Sequence, residues 1–352
     1  MSAIEHPVID LTTVAPERAE LPQVDRKDFS SDQEVRWCPG CGDYAILAAV
    51  QATLPDIGCR PESTVFVSGI GCAARFPYYM DTYGMHSIHG RAPAIASGLA
   101  VARPDLDVFV VGGDGDMLSI GGNHLVHALR RNVDLTILLF NNEIYGLTKG
   151  QYSPTSPIGS AFKSTPVGSI DRPLNPLSLA IGSEATFVAR TIDNDRKHLA
   201  GVLAAAHAHR GAALVEILQN CVVFNDGAFA IRDRDAARAR RLDLVAGEPL
   251  VFGAEGERAV VRTDGGGLAV VPTAEAGDEV VVHDPTRSDP TTAFALSRLE
   301  HQPDGPTPLG ILRQVQRPAY ETEARRQVED AKARRPADLG ALLASGSTWT
   351  VD

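Results

Sequence analysis

The sequence predicts an α/β protein: a mostly parallel sheet flanked by helices, with a C-terminal extension. Three observations carry that expectation. Apolar runs of strand length at 64–67, 108–111, 135–140, 185–189 and 213–218 alternate with stretches of helical character. The stretch 107–148, DVFVVGGDGDMLSIGGNHLVHALRRNVDLTILLFNNEIYGLT, reads as strand, helix, strand. Leu118, Leu125, Val126 and Leu129 form the apolar face of its helix, so its two strands run parallel. Finally, the strands stop at polar or glycine-rich clusters. Those clusters gather at the carboxyl edge of the sheet, where open α/β sheets bind ligands.

The chain order supports each element. Residues 1–30 are proline-containing and aperiodic, and read as an extended arm. Cys38 and Cys41 bracket Pro39-Gly40 in a tight turn, and the following helix carries Ile46, Leu47, Val50 and Leu54. The strand at 64–67 delivers Ser68-Gly69-Ile70-Gly71-Cys72. His89-Gly90-Arg91 precede an alanine-rich helix at 92–102, an anion-binding position. Residues 150–176 form a long aperiodic loop, of the kind that is functional or mobile. A helix at 195–209 separates the last two strands, and the second of these delivers Gln219-Asn220-Cys221. The composition changes after Asp226. A charged helix at 233–241 marks a boundary, strand-like pieces follow at 258–261, 267–271 and 279–283, and a charged helix covers 321–335. The expected domains are therefore an arm (1–30), a ligand-binding α/β domain (31–232) and an extension (233–352), which could cover the site.

Composition narrows the function. The chain has 352 residues, 44% of them hydrophobic, enough for a substantial core. No apolar run is long enough to span a membrane, and the N-terminus lacks a hydrophobic signal region, so a cytoplasmic protein without a membrane partner is expected. A net charge of −11 argues against nucleic acid as the main partner. Five cysteines in such a chain point to metal binding or buried thiols rather than a disulfide framework.

The two polar clusters of the central unit have readable chemistry. Asp114 offers a carboxylate and Asn142 an amide oxygen, hard donors suited to Mg²⁺ with a substrate's phosphates completing its shell. Gly113 and Gly115 allow close backbone approach. The pattern resembles the thiamine-diphosphate motif, G-D-G followed by N-N, here with 25 residues between Gly115 and Asn141. That resemblance implies Mg²⁺ on Asp114, Asn142 and the carbonyl of Ile144.

Cys38, Cys41, Cys72 and Cys221 all fall on loops expected at the same sheet edge. Four thiolates fit either tetrahedral Zn²⁺ or a [4Fe–4S] cluster, and spacing alone does not separate them. The neighbouring thiamine chemistry favours the cluster, which can accept the electrons such chemistry releases. Cys59 has no partner pattern and reads as a buried structural thiol.

Together, WCPGCG, GIGC, HGRAPA, GDGD, NNEIYGLTKGQ and Cys221 resemble the β subunit of 2-oxoacid:ferredoxin oxidoreductases of the 2-oxoglutarate type, over about 190 residues from Glu34 to Asp226. The resemblance implies a [4Fe–4S] cluster on the four cysteines. It implies thiamine-diphosphate contacts at Ile70, Gly71, Cys72 and Ala73, at His89, Gly90, Arg91 and Ala92, at Gly115 and Asp116, and at Gly146 and Leu147. The implied reaction is oxidative decarboxylation of 2-oxoglutarate with coenzyme A to succinyl-CoA, with electrons passing to ferredoxin. It also implies an α subunit supplying the pyrimidine-binding half, in an (αβ)₂ heterotetramer. Arg75 is expected to bind the distal carboxylate of the 2-oxoacid, with Lys149 as a second cation. The basic run of Arg232, Arg234, Arg238, Arg240 and Arg241 is either a ferredoxin-docking surface or a solvated helix face. The competing functions are the same enzyme acting on pyruvate or another 2-oxoacid, a non-redox decarboxylase or carboligase with a Zn–Cys₄ site, and a non-catalytic iron–sulfur scaffold.

Overall fold

The computed structural model describes residues 23–349, apart from 303, 335 and 336, together with residue 351. Most of the expected arm lies outside the described residues. Its last part is packed: a 3-10 turn at Arg26–Phe29 buries Phe29 completely.

Eight strands form the main sheet, in the order β2-β1-β3-β4-β8-β7-β13-β9. They are β1 (Thr64–Ser68), β2 (Tyr83–His86), β3 (Asp107–Gly113), β4 (Leu135–Asn141), β7 (Phe187–Ile192), β8 (Ala212–Leu218), β9 (Arg241–Leu244) and β13 (Thr307–Gln314). Between β4 and β7 lies a two-stranded hairpin, β5 (Ile144–Tyr145) and β6 (Gln151–Tyr152). A separate small sheet holds β10 (Val251–Phe252), β11 (Arg258–Arg262) and β12 (Leu268–Pro272). From β2 to β7 every pairing in the main sheet is parallel; β13 then runs antiparallel to β7.

The central strands are buried along their whole length because both faces are covered, and most of their residues are apolar. On one face Val65, Val67, Val108, Val110, Ile137 and Leu139 pack with α2 (Ala92–Ala102) and α4 (Gly122–Arg131). On the other, Phe66, Phe109, Leu138 and Phe140 meet α1 (Asp43–Asp56) and α6 (Arg196–Ala208). Alternate residues of each strand thus serve different cores, as the strand's period of two requires.

Four features differ from the sequence reading. The helix after β3 is broken into α3 (Asp114–Leu118) and α4 near Gly121, which lies against Gly90: a Cβ on Gly121 would sit 3.0 Å from the Gly90 Cα and 2.5 Å from the Asp116 carbonyl oxygen. The edge strand β2 is fully exposed and carries no apolar run that would announce it. The extension adds β9 and β13 to the main sheet, and Leu242, Leu244, Phe252, Leu296 and Leu299 join the first core. The piece at 279–283 makes only isolated bridges, at Val280 and Val282.

Candidate active site

The carboxyl ends of β1, β3, β4 and β8 converge, and each delivers one expected cluster. At the end of β4, Asn141 and Asn142 shape a turn. The Asn141 Oδ1 accepts from the Glu143 amide and the Asn142 Oδ1 from the Ile144 amide, each at 3.2 Å. Glu143 adopts φ +58°, a left-handed conformation unfavourable for a non-glycine residue, so the surrounding bonds must hold it there. Asn142 thereby sits beside Ile144, as a shared metal site would need.

Asp114 is 1% exposed. Its Oδ2 accepts from Ser153 Oγ at 2.5 Å and Thr155 Oγ1 at 2.6 Å. Burial raises its pKa to about 6 against these hydrogen bonds. A buried carboxylate held by two hydroxyls and nearby backbone amides, with no cation beside it, is a good ligand for a dication, which would restore its charged form. Ser153 and Thr155 come from the long loop after β6. The sequence showed that loop to be long but not that it folds back onto Asp114.

Asp116 does something other than face a ligand. Its Oδ1 accepts from His89 Nδ1 at 2.5 Å, the Gly90 amide at 2.8 Å and the Ile70 amide at 3.0 Å. The anion held at the start of α2 is therefore the protein's own carboxylate, which ties three expected cofactor loops together. Ala73 and Ala92 are buried, Arg91 Nη1 donates to the His89 carbonyl, and Gly71 takes φ +138°. Gly115 lies under Tyr145, whose ring any Cβ there would strike, and the Tyr145 hydroxyl donates to the Gly115 carbonyl at 3.0 Å.

The four cysteines line one cavity of about 240 Å³, together with Asp43, Arg75, Asn142, Gly146, Leu147, Lys149 and Phe224. Gly146 forms its floor: a Cβ there would lie 3.6 Å from Cys72 Sγ and 3.7 Å from Cys221 Sγ. The Cys38–Cys41 turn is closed by the Cys41 amide donating to the Cys38 carbonyl, with Gly40 at φ +82°. Trp37 Nε1 donates to the Cys72 carbonyl at 2.7 Å. Burial, with Asp43 adding, pushes the Cys72 thiol up to about 12 and Cys41 up as well. Thiolates here need a cationic centre, and a set of soft sulfur donors fits iron–sulfur or zinc ligation. Asp43 is itself buried and pushed to about 7 by that burial.

Gln219 joins the two halves. Its Nε2 approaches Cys41 Sγ at 3.3 Å, while its Oε1 accepts from Asn142 Nδ2 at 2.7 Å. It lies two residues before Cys221 in sequence, and that proximity was the available signal. Arg75 Nη1 donates to the Arg36 carbonyl at 3.1 Å, so its guanidinium reaches the cysteine cavity's wall. Lys149 is exposed at the same cavity, with φ +73°.

Three of the five arginines of the basic run pair with carboxylates: Arg232 with Asp193, Arg240 with Asp304 at 3.9 Å, and Arg241 with Asp195 and Asp243 at 2.8 and 2.7 Å. Cys59 is fully buried, with His207 Nε2 3.4 Å from its sulfur.

A parallel sheet whose strand ends bring the Asp114 carboxylate and the Asn141–Asn142 turn beside a four-cysteine cavity fits the diphosphate-binding half of a thiamine-dependent redox enzyme. Residues 63–217 match the family model "thiamine pyrophosphate enzyme, C-terminal TPP binding domain". The chain is 58% identical to the 2-oxoglutarate oxidoreductase subunit KorB of Mycobacterium tuberculosis, over 98% of this chain and 94% of that protein. It is 50% identical, over 54% of its length and 60% of the relative's, to the β subunit of 2-oxoacid:ferredoxin oxidoreductase 1 of Aeropyrum pernix. A solved 2-oxoglutarate:ferredoxin oxidoreductase from Magnetococcus marinus, with 2-oxoglutarate, coenzyme A and succinyl-CoA bound, superposes with a TM-score of 0.75 at 34% identity. That match covers 94% of this chain and 98% of the solved one. The chain belongs to the β-subunit family of 2-oxoacid:ferredoxin oxidoreductases, of the 2-oxoglutarate type.

Proposed function

We propose that this chain is the thiamine-diphosphate-, Mg²⁺- and [4Fe–4S]-binding subunit of a 2-oxoglutarate:ferredoxin oxidoreductase. The reaction converts 2-oxoglutarate, coenzyme A and two oxidised ferredoxins to succinyl-CoA, CO₂, a proton and two reduced ferredoxins. The observation that carries the reading is Gln219, bonded at once to the Asn142 side chain and to Cys41. It sets the metal turn and the cysteine cavity side by side, as electron transfer from one to the other needs.

Thiamine diphosphate, when bound, supplies the carbon nucleophile and the electron sink for decarboxylation. The chain's residues do the rest. Asp114, Asn142 and the Ile144 carbonyl would hold Mg²⁺, with Ser153 and Thr155 orienting the Asp114 carboxylate. Asp116 would fix the loops at Ile70 and at His89–Gly90 around the cofactor. Gly115, Gly146 and Leu147 would let it approach the backbone. Cys38, Cys41, Cys72 and Cys221 would hold the cluster, with Phe224 and Trp37 limiting water around it. Arg75, with Lys149 nearby, would receive the distal carboxylate of the substrate, a bidentate task suited to a guanidinium.

The missing pyrimidine-binding half comes from an α subunit, and we place the assembly as an (αβ)₂ heterotetramer in the cytoplasm. No helix among the described residues is long and apolar enough to cross a membrane. The site test is Asp114→Ala in the purified complex, with iron, acid-labile sulfide and zinc measured alongside. Loss of Mg²⁺-dependent thiamine-diphosphate binding, with iron and sulfide retained, is the expected result. Unchanged cofactor affinity, or zinc in place of iron, would defeat the reading.

A further inference from the structure

The extension reaches into the metal site through a buried chain of charges and amides. Arg190 on β7 and Glu216 on β8 are inward-facing residues of adjacent strands, with side chains 3% and 0% exposed. Arg190 Nε donates to Glu216 Oε2 at 2.6 Å. Its other two nitrogens grip Glu300 of the extension as a fork, Nη1 to Oε2 at 2.6 Å and Nη2 to Oε1 at 3.0 Å. Burial would pull the guanidinium's pKa down, but the two carboxylates outweigh it and hold it above its usual range.

Glu216 has a second task. Its Oε1 accepts from Asn141 Nδ2 at 2.7 Å. That bond fixes which way the Asn141 amide faces, so its Oδ1 accepts from Thr155 Oγ1 at 2.9 Å and from the Glu143 amide. Thr155 in turn contacts Asp114 Oδ2. The paired asparagines therefore divide their work: Asn142 faces the metal position, while Asn141 is the anchor of the turn. Five side chains, Glu300, Arg190, Glu216, Asn141 and Thr155, run without a gap from the extension to Asp114.

We propose that Glu300 is a positioning residue of the metal–diphosphate site, acting through Arg190, Glu216 and Asn141 on the Asp114–Asn142 turn. The inference rests on the metal-site reading above. Its physical basis is competition for Glu216. With Glu300 present, the terminal nitrogens of Arg190 are engaged and Glu216 can spare one oxygen for Asn141. Without it, those nitrogens are left with Glu216 and the largely buried Glu143 of the turn itself, and turning to either one pulls on the Glu216–Asn141 bond or on the turn directly. The Asn141 amide then loses its orientation and the turn its anchor. Because coupling between two sites is reciprocal, cofactor binding must also tighten the docking of the segment that carries Glu300.

The test uses the complex with its α partner, stripped of cofactor and titrated with thiamine diphosphate in the presence of Mg²⁺. Glu300→Ala is expected to raise the dissociation constant about two- to thirty-fold, the range of coupling through a packed network. Glu300→Gln, which keeps an acceptor for Arg190, should fall between it and the wild type. In the wild type, adding cofactor with Mg²⁺ should slow amide hydrogen exchange across residues 291–301. A Glu300→Ala complex that melts at a lower temperature yet binds cofactor as the wild type does would show a structural role only, and overturn the proposal. Should that variant fail to fold, unaltered exchange at 291–301 in the wild type overturns it instead. Asp114→Ala separates the two readings. If it binds like the wild type, the metal-site reading fails and takes this one with it. If it abolishes binding while Glu300→Ala leaves affinity unchanged, this inference alone fails.

Discussion

At the scale of single residues, the side chain to test first is Gln219. Its N–H reaches Cys41 Sγ, one of the four cysteines proposed to hold the cluster, and hydrogen bonds to such sulfurs help set reduction potential. A bond worth about 1 kcal/mol corresponds to roughly 40 mV in a one-electron couple. Gln219→Leu should therefore make the cluster potential more negative by tens of millivolts, read by a redox titration followed by electron paramagnetic resonance. A potential that does not move would mean the contact carries no weight. Arg75 is tested through selectivity. A dicarboxylic 2-oxoacid would bury its distal carboxylate unpaired without a cation, at a cost of several kcal/mol. Arg75→Ala should lower kcat/KM for 2-oxoglutarate by roughly ten- to several-hundred-fold while sparing pyruvate and 2-oxobutyrate. An equal fall for all three substrates would assign Arg75 to the cluster wall instead.

At the scale of elements, the extension ties the segment before β13 to that strand, which it adds to the main sheet. His283 is 1% exposed, and its Nε2 donates to the Ile311 carbonyl of β13 at 2.8 Å. The proton is thus on Nε2, and its other ring nitrogen, Nδ1, is buried without a hydrogen-bond partner. Burial lowers the His283 pKa below the ordinary histidine value of 6.5. With the folded pKa below the unfolded one, the unfolded chain takes up the proton first as pH falls. The contribution is full above pH 6.5 and is lost on acidification through the folded value. Asp114, Asp43 and Glu143 are shifted upward, the opposite direction. The comparison must therefore be between wild type and His283→Gln. The expected outcome is a shallower fall in the urea midpoint between pH 7 and 5 for the variant; parallel curves would remove His283 from the account.

At the scale of the whole molecule, several loops near the site carry exposed apolar side chains. Ile88, Ile120, Leu147, Ile158 and Ile170, from the loops after β2, α3, β5 and β6, are exposed, Ile170 at 89%. Large apolar side chains clustered on functional loops mark an interaction face. This agrees with a chain that contains one thiamine-type α/β half and needs the other from its α partner. The chain purified alone should show no 2-oxoglutarate-dependent dye reduction, and adding the α subunit should restore it. Full activity of the isolated chain would refute the division between subunits.

The sequence by itself determined the parallel sheet, the sheet edge that carries the chemistry, and the residues at it. Those signals are local: an apolar run, its end, and the polar residues just beyond are contiguous in the chain, as in 64–72, 107–116, 135–144 and 213–221. Only the tertiary structure decided how the edge is supported. Ser153 and Thr155 come from a loop without periodicity, and Glu300 meets Arg190 across 110 residues. Asp116 looks like a ligand in the motif, but in the fold its carboxylate faces His89, Gly90 and Ile70. The extension reads as a separate region because the composition changes after Asp226 and a charged helix at 233–241 opens it, yet β9 and the eight-residue β13 complete the main sheet. Pairing between distant segments leaves no pattern in either segment alone. It follows from burying both faces of the sheet and satisfying every charge taken inside with them.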